Sequence, residues 1–266
     1  MLKLGASNPW MIVLLYVLTI VMLLITLTIH ELGHYTFARI FKVNVKEFSI
    51  GIGPRLFSKN NKRGTRISLR LIPLMAYVMM DSVQLREVYA SEKKDKNYKF
   101  MMQKKPKGTF LLEEVKTWKY MFIMFGGVLF NLVFFGLLCG IVLPLVHLET
   151  GNFFNPFVSL ALSFEAIGRD MIFIGNGDIF GQIGTIANGN LWWLSMLLSL
   201  LMMNLITFIF NLIPFPPLDG WKVVGKTYRQ FHHKPINEKL ENALTIIGLI
   251  LMLWIFISGI VCDIIN

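Results

Sequence analysis

Cysteine is nearly missing from this chain: Cys139 and Cys262 are the only two. Both fall in apolar runs, so they read as small buried residues, and neither a disulfide framework nor a thiolate metal site is supported. Charge is also scarce. Asp, Glu, Lys and Arg make up 16% of the residues against 55% hydrophobic, with a mean hydropathy of +0.58, which excludes an ordinary soluble domain. Acidic residues are the scarcer sign, 16 against 26 Lys and Arg, leaving a net charge of +10. Such a balance suits nucleic acid in principle. No nucleic-acid motif accompanies it, however, so attraction to anionic lipid headgroups accounts for it better and no nucleic-acid partner is expected. Internal repeats and low-complexity tracts are absent too.

Long apolar runs are what the chain does have. Four stretches are long enough to cross a hydrocarbon core of about 30 Å as helices: about residues 10–29, 120–145, 191–212 and 244–261. The first exceeds a signal-peptide core and lacks a small-residue cleavage site, so it is expected to be retained. Of the Lys and Arg residues, 18 lie from Lys42 to Lys119, one (Arg169) lies between the second and third runs, and five lie from Lys222 to Lys239. By the positive-inside rule the first and third connections are cytoplasmic and both termini face outward. The predicted fold class is membrane α-helical, about four transmembrane helices with a small membrane-associated β-element on the cytoplasmic side, in one polytopic domain over residues 1–266.

The first run leads directly into His30-Glu31-Leu32-Gly33-His34. At helical pitch the two histidines sit one turn apart on one face and can share a metal ion, while Glu31 is displaced around the helix towards water on that ion. An ionisable glutamate beside a membrane span costs about 2.5–3.5 kcal/mol at the membrane centre unless paired or solvated, so this placement points to chemistry. Near the other end of the chain, Asn211-Leu212-Ile213-Pro214-Phe215-Pro216-Pro217-Leu218-Asp219-Gly220 packs three prolines into four positions. A helix cannot continue through them, and broken backbone at membrane depth is tolerated only where it lines a cavity or is wrapped in protein. Asp219 falls on the same side of the membrane as His30 and His34 by the charge rule. It completes a two-His, one-carboxylate set with a fourth tetrahedral position left open.

Residues 43–117 between the first two runs are expected to form a cytoplasmic β-element and loop. Ile67 to Leu71 alternates apolar and polar residues like a half-exposed strand. Pro73 is expected to interrupt it, leaving Leu74 to Met80 as an edge or re-entrant strand able to receive another extended chain. Residues 84–107 read as a charged, solvated loop. In the second run, Gly126-Gly127 permits close helix contact, and Asn131 is expected to bond another helix or line a polar cavity. Residues 147–190 read as an extracytoplasmic aromatic segment with an interfacial helix over 158–174. His147, His232 and His233 are not spaced as a second site.

HELGH, the Phe48–Pro54 stretch FSIGIGP, Gly64-Thr65 with SLRLIPLMAYV, Gly126-Gly127 with Asn131, and NLIPFPPLDG occur in that order. In these features the chain resembles the site-2 protease family of intramembrane zinc metalloproteases, close to its bacterial regulator-of-sigma-factor protease branch, over about residues 18–80, 117–135 and 181–225. The resemblance implies one Zn2+ held by His30, His34 and Asp219, with Glu31 as general base. It further implies Asn211 at the substrate or reacting centre, and a strand around Leu74, Met75, Ala76 and Tyr77 that pairs with an unwound substrate helix. The implied substrates are single-span membrane proteins or remnant signal peptides in the bilayer. Two features depart from the family. Met75-Ala76 stands where relatives usually carry Gly-Gly, and the forty residues between the second and third runs are too few for the PDZ domain many relatives insert there. The alternatives are a catalytically silent zinc-binding membrane scaffold, which has no need of Glu31, and an ion or metal transporter, which ordinarily shows paired broken segments where this chain shows one.

Overall fold

The computed structural model describes residues 9–91, 98–159, 191–232 and 237–265. Helix α1 (Pro9–Ile40) is followed by strands β1 (Val45–Asn60) and β2 (Arg66–Met80). The short helices α2 (Val83–Ser91) and α3 (Tyr98–Met101) come next, then the long α4 (Thr117–Thr150). Helices α5 (Trp192–Leu212), α6 (Asp219–His232) and α7 (Glu238–Ile265) complete the order. Among the described residues, Val17–Ile40, Thr117–Thr150 and Trp192–Leu212 are long and apolar enough to cross a membrane. This is a membrane-helical protein carrying a small antiparallel sheet. The fourth expected run falls in α7. Of the expected aromatic segment, residues 160–190 lie outside the described residues, and most of its interfacial helix with them.

Two helices run further than the sequence divides them. The apolar run ends at residue 29, and α1 continues through HELGH, as the helical spacing of its histidines requires, and on to Ile40, because neighbouring helices cover both histidines and the helix has no need to stop at its polar residues. Helix α4 has 34 residues, about 51 Å at 1.5 Å per residue, longer than the hydrocarbon core it would cross. Packing among α1, α4 and α5 fixes the site. Helices α1 and α4 touch backbone to backbone: a Cβ added to Gly33 would lie 2.1 Å from the Gly126 carbonyl oxygen, a contact only glycine allows. Phe135, Leu138, Val142 and Val146 of α4 bury against Leu194, Leu198, Leu201 and Leu205 of α5. The buried Asn204 of α5 donates to Thr26 of α1 (3.1 Å), a polar tie in an otherwise apolar interface.

The β-element is one hairpin with a doubled register. Phe48, Ser49 and Ile50 have Val78, Tyr77 and Ala76 as partners on one side and Ile67, Ser68 and Leu69 on the other, while Phe57 to Asn60 pair with Leu69 back to Arg66. The two halves of β1 can serve different partners because Gly51 (φ 87°) and Gly53 (φ 84°) turn the strand between them. The expected β-element is present as this hairpin, but Pro73 does not interrupt it: β2 runs unbroken from Arg66 to Met80. Leu71, Ile72, Leu74 and Met75 around that proline are all exposed, the edge setting in which a missing N–H costs least. Beneath, two fully buried carboxylates brace the sheet. Glu47 pairs with Arg55 (3.1 Å) and Arg70 (2.8 Å), and Asp81 pairs with Arg86 (2.8 Å) and accepts from Asn44 (2.7 Å).

Candidate metal centre

His30 and His34 occupy successive turns of α1, and Asp219 opens α6 directly after the proline segment. All three are buried. The Asp219 Oδ2 lies 2.8 Å from His30 Nε2 and 2.8 Å from His34 Nε2, and the two nitrogens are 3.1 Å apart. Three electron-pair donors thus converge on one point although 185 residues or more separate the aspartate from the histidines. Four-coordinate zinc at about 2.0–2.1 Å from each ligand spaces its ligands about 3.3 Å apart, so the triangle needs to open by only a few tenths of an ångström.

Surrounding groups fit a cation in this triangle. His34 Nδ1–H donates to the Ile123 carbonyl (2.8 Å), which leaves Nε2 with its lone pair inward. The amide of Asn131 sits 3.3 Å from His30 Nδ1, and its Oδ1 is buried without a partner. Turned over, the amide presents Oδ1 to a His30 Nδ1–H. That gives the orphan oxygen a donor and frees His30 Nε2 as well. Gly127 forms the floor: a Cβ there would lie 2.5 Å from His30 Cε1 and 2.6 Å from His34 Nε2. The donor set of two imidazoles and one carboxylate, which leaves a tetrahedral ion one further position, is that of a catalytic zinc site.

Glu31 is not one of the three donors. Its Oε2 accepts the Val78 backbone N–H (3.0 Å), tying α1 to the 76–80 stretch of β2, which within the sheet has partners on β1 alone. Ala76 is buried, Tyr77 is half-buried, and Leu74 and Met75 project from the hairpin. Asn211 is half-buried on the last turn of α5. Its amide donates to the Thr207 carbonyl (3.0 Å) and is not among the hydrogen-bond partners of the triangle. A cleft of about 690 Å³ runs beside the centre, lined by Val78, Met80, Tyr120, Trp221, Lys222 and Arg229 among others. Sequence reasoning missed the Val78 amide and the Ile123 carbonyl, because backbone groups leave no side-chain signal, and it marked Gly127 as a helix-contact glycine without its role under the two imidazoles. Lys222 was also missed, although its place three residues after Asp219 marked it.

Fold and centre together define a membrane-embedded protein with a metal site of the zinc-peptidase kind. The chain belongs to peptidase family M50, whose model matches residues 18–255, the site-2 protease family that its motifs resemble. It is 46% identical over 70 residues to a Thermotoga maritima protein named "Putative zinc metalloprotease", covering 26% of this chain and 14% of that one. A Helicobacter pylori protein of the same name is 36% identical over 121 residues, 45% of this chain and 30% of that one. "Probable protease eep" of Enterococcus faecalis is 43% identical over 56 residues, 21% and 13% of the two chains. The aligned stretches therefore span less than a third of these relatives' lengths.

Proposed function

We propose that this chain is an intramembrane zinc metalloendopeptidase that hydrolyses peptide bonds within or near the transmembrane segments of single-span membrane proteins or remnant signal peptides. The observation that carries the reading is the buried His30–His34–Asp219 triangle with a further carboxylate, Glu31, beside it that is not one of its three donors. In this reading α7 is a fourth span, both termini lie outside, the centre faces the cytoplasm and residues 1–266 act as one domain.

Bound zinc would supply Lewis acidity, polarising a peptide carbonyl and lowering the pKa of water from about 15.7 towards 7. His30, His34 and Asp219 would hold it, with Ile123 and Asn131 orienting the two imidazoles. Glu31 is the general base: its carboxylate takes a proton from the attacking water and returns it to the leaving amine nitrogen. The strand from Leu74 to Tyr77 receives the substrate backbone by edge pairing. The Glu31–Val78 bond supports that role, because it sets the base against the strand along which an extended substrate would lie. Asn211 stands at the start of the broken segment and is a further substrate contact. A helical substrate hides its carbonyls, so it must unwind first, and helix-breaking residues favour cleavage.

Single-span reporters co-reconstituted with the chain in lipid vesicles test this. Reporters with Gly or Pro near the middle of the span should be cut faster than Leu-rich controls, reporters trimmed on the outer side faster than intact ones, and Asp219→Ala should cut none. Equal cleavage of helix-broken and helix-stable spans, or of trimmed and intact precursors, contradicts the proposed substrate class.

A further inference from the structure

Asp219 has two carboxylate oxygens, and they have different partners. Oδ2 faces the two histidines at 2.8 Å each. Oδ1 accepts from the Lys222 ammonium at 2.7 Å. The lysine side chain is 51% exposed and that of Asp219 is 5% exposed, so the ammonium reaches in from the cleft to a buried group. Its backbone is firmly placed. A Cβ on Gly220 would lie 2.5 Å from the Ile213 carbonyl oxygen, so the first turn of α6 sits tight on the proline segment. Trp221 Nε1 donates to Glu241 of α7 (3.2 Å), holding the same turn from the other side.

A free carboxylate can offer both oxygens to one cation. A second oxygen from Asp219 would add a ligand beside the position that a catalytic zinc site keeps for its reactant, taking a four-coordinate ion to five. A charge-assisted hydrogen bond, roughly twice as strong as a neutral one, engages that second oxygen here. We propose that Lys222 is a positioning residue that keeps Asp219 a one-oxygen ligand and so keeps the bound ion four-coordinate. The inference rests on the zinc-peptidase reading of the site and goes beyond it. It assigns to a lysine outside both motifs the control of coordination number, acting through Asp219 without touching substrate.

Cobalt(II) in place of zinc tests this in the full-length chain, because four-coordinate cobalt absorbs visible light more intensely than five-coordinate cobalt. Loaded with one cobalt per chain, Lys222→Met and Lys222→Gln should lose absorption intensity relative to wild type, while Lys222→Arg, still a donor, should keep the wild-type spectrum. Reporter cleavage should fall about 10–100-fold in the two neutral variants, the usual loss when a ligand's hydrogen-bond partner is removed, and Lys222→Arg should recover most of it. The inference is overturned if both neutral variants load one cobalt per chain with the wild-type spectrum. Loss of cobalt from both neutral variants, with the melting temperature of the metal-free protein unchanged, likewise overturns it, because a freed second oxygen adds a ligand and should not cost the metal. Failure of the underlying reading looks different. A wild type with the intense spectrum that cuts no reporter refutes the protease and leaves the Lys222 result standing, whereas a wild type that loads no cobalt refutes both.

Discussion

At the scale of single residues, the groups that shape the centre are partly ones that cannot ligate anything. Gly127 leaves room for both imidazoles, so Gly127→Ala should push the rings apart and weaken metal binding by about 10–100-fold or more, with helix content unchanged by circular dichroism. Chelator competition checks it, and wild-type metal affinity in Gly127→Ala would mean that the rings do not rest on this floor. Asn131→Leu removes the acceptor for His30 Nδ1 and should cost a similar factor in affinity. HELGH and LDG announced the ligands in sequence because metal chemistry demands particular side chains at particular spacings. Asn131 was legible as a polar residue needing a partner, but not which partner, since the crossing of α1 over α4 at Gly33 and Gly126 decides that. Asn211 shows the opposite case, a motif residue whose amide is satisfied by its own helix at Thr207.

At the scale of elements, the β-element depends on two buried acids. Burial alone would raise the Glu47 carboxyl, but hydrogen bonds from Ser68, Arg55 and Arg70 outweigh it and hold the group below the usual carboxylate range. Asp81 is likewise raised by burial and held down more strongly by Arg86, Asn44 and Lys46. A carboxylate whose pKa is lower folded than unfolded adds stability that is complete above the unfolded value, about 4.3 for Glu and 3.9 for Asp, and is lost as pH falls through the lower folded value. Glu47→Gln should therefore cost about 3 kcal/mol at neutral pH, the scale of a broken buried ion pair. The gap from wild type should narrow only below about pH 4.3 in melting curves, and a gap constant from pH 7 to pH 3 would contradict this assignment. The alternation at Ile67 to Leu71 made the strand legible. Its passage through Pro73, and the turn of β1 at Gly51 and Gly53, were not, because edge position and doubled register are set by the partner strand rather than by local pattern.

At the scale of the whole molecule, apolar runs and their basic flanks made the membrane-helical class plain before any contact was known. They could not show where α1 ends, since a helix that buries its polar residues against neighbours has no reason to stop at them. The convergence of residues 30, 34 and 219 belongs to this scale too, because it needs α1, α4 and the broken end of α5 to be packed together. That packing predicts that Gly33→Leu, which puts a side chain where two backbones touch, should destroy metal binding without altering any ligand. Chelator competition on the purified variant checks it, and retained affinity would mean that the crossing does not hold the centre.

The central claim is that the same centre separates holding a metal from using it, with three residues for the first task and Glu31 for the second. The most direct measurement is zinc content and reporter cleavage on one vesicle preparation each of wild type and Glu31→Gln. One zinc per chain is expected in both and cleavage by wild type alone. Cleavage by Glu31→Gln at the wild-type rate would contradict it, and so would zinc in both with cleavage by neither while a cellular phenotype survives the substitution, the outcome expected of a zinc-binding scaffold.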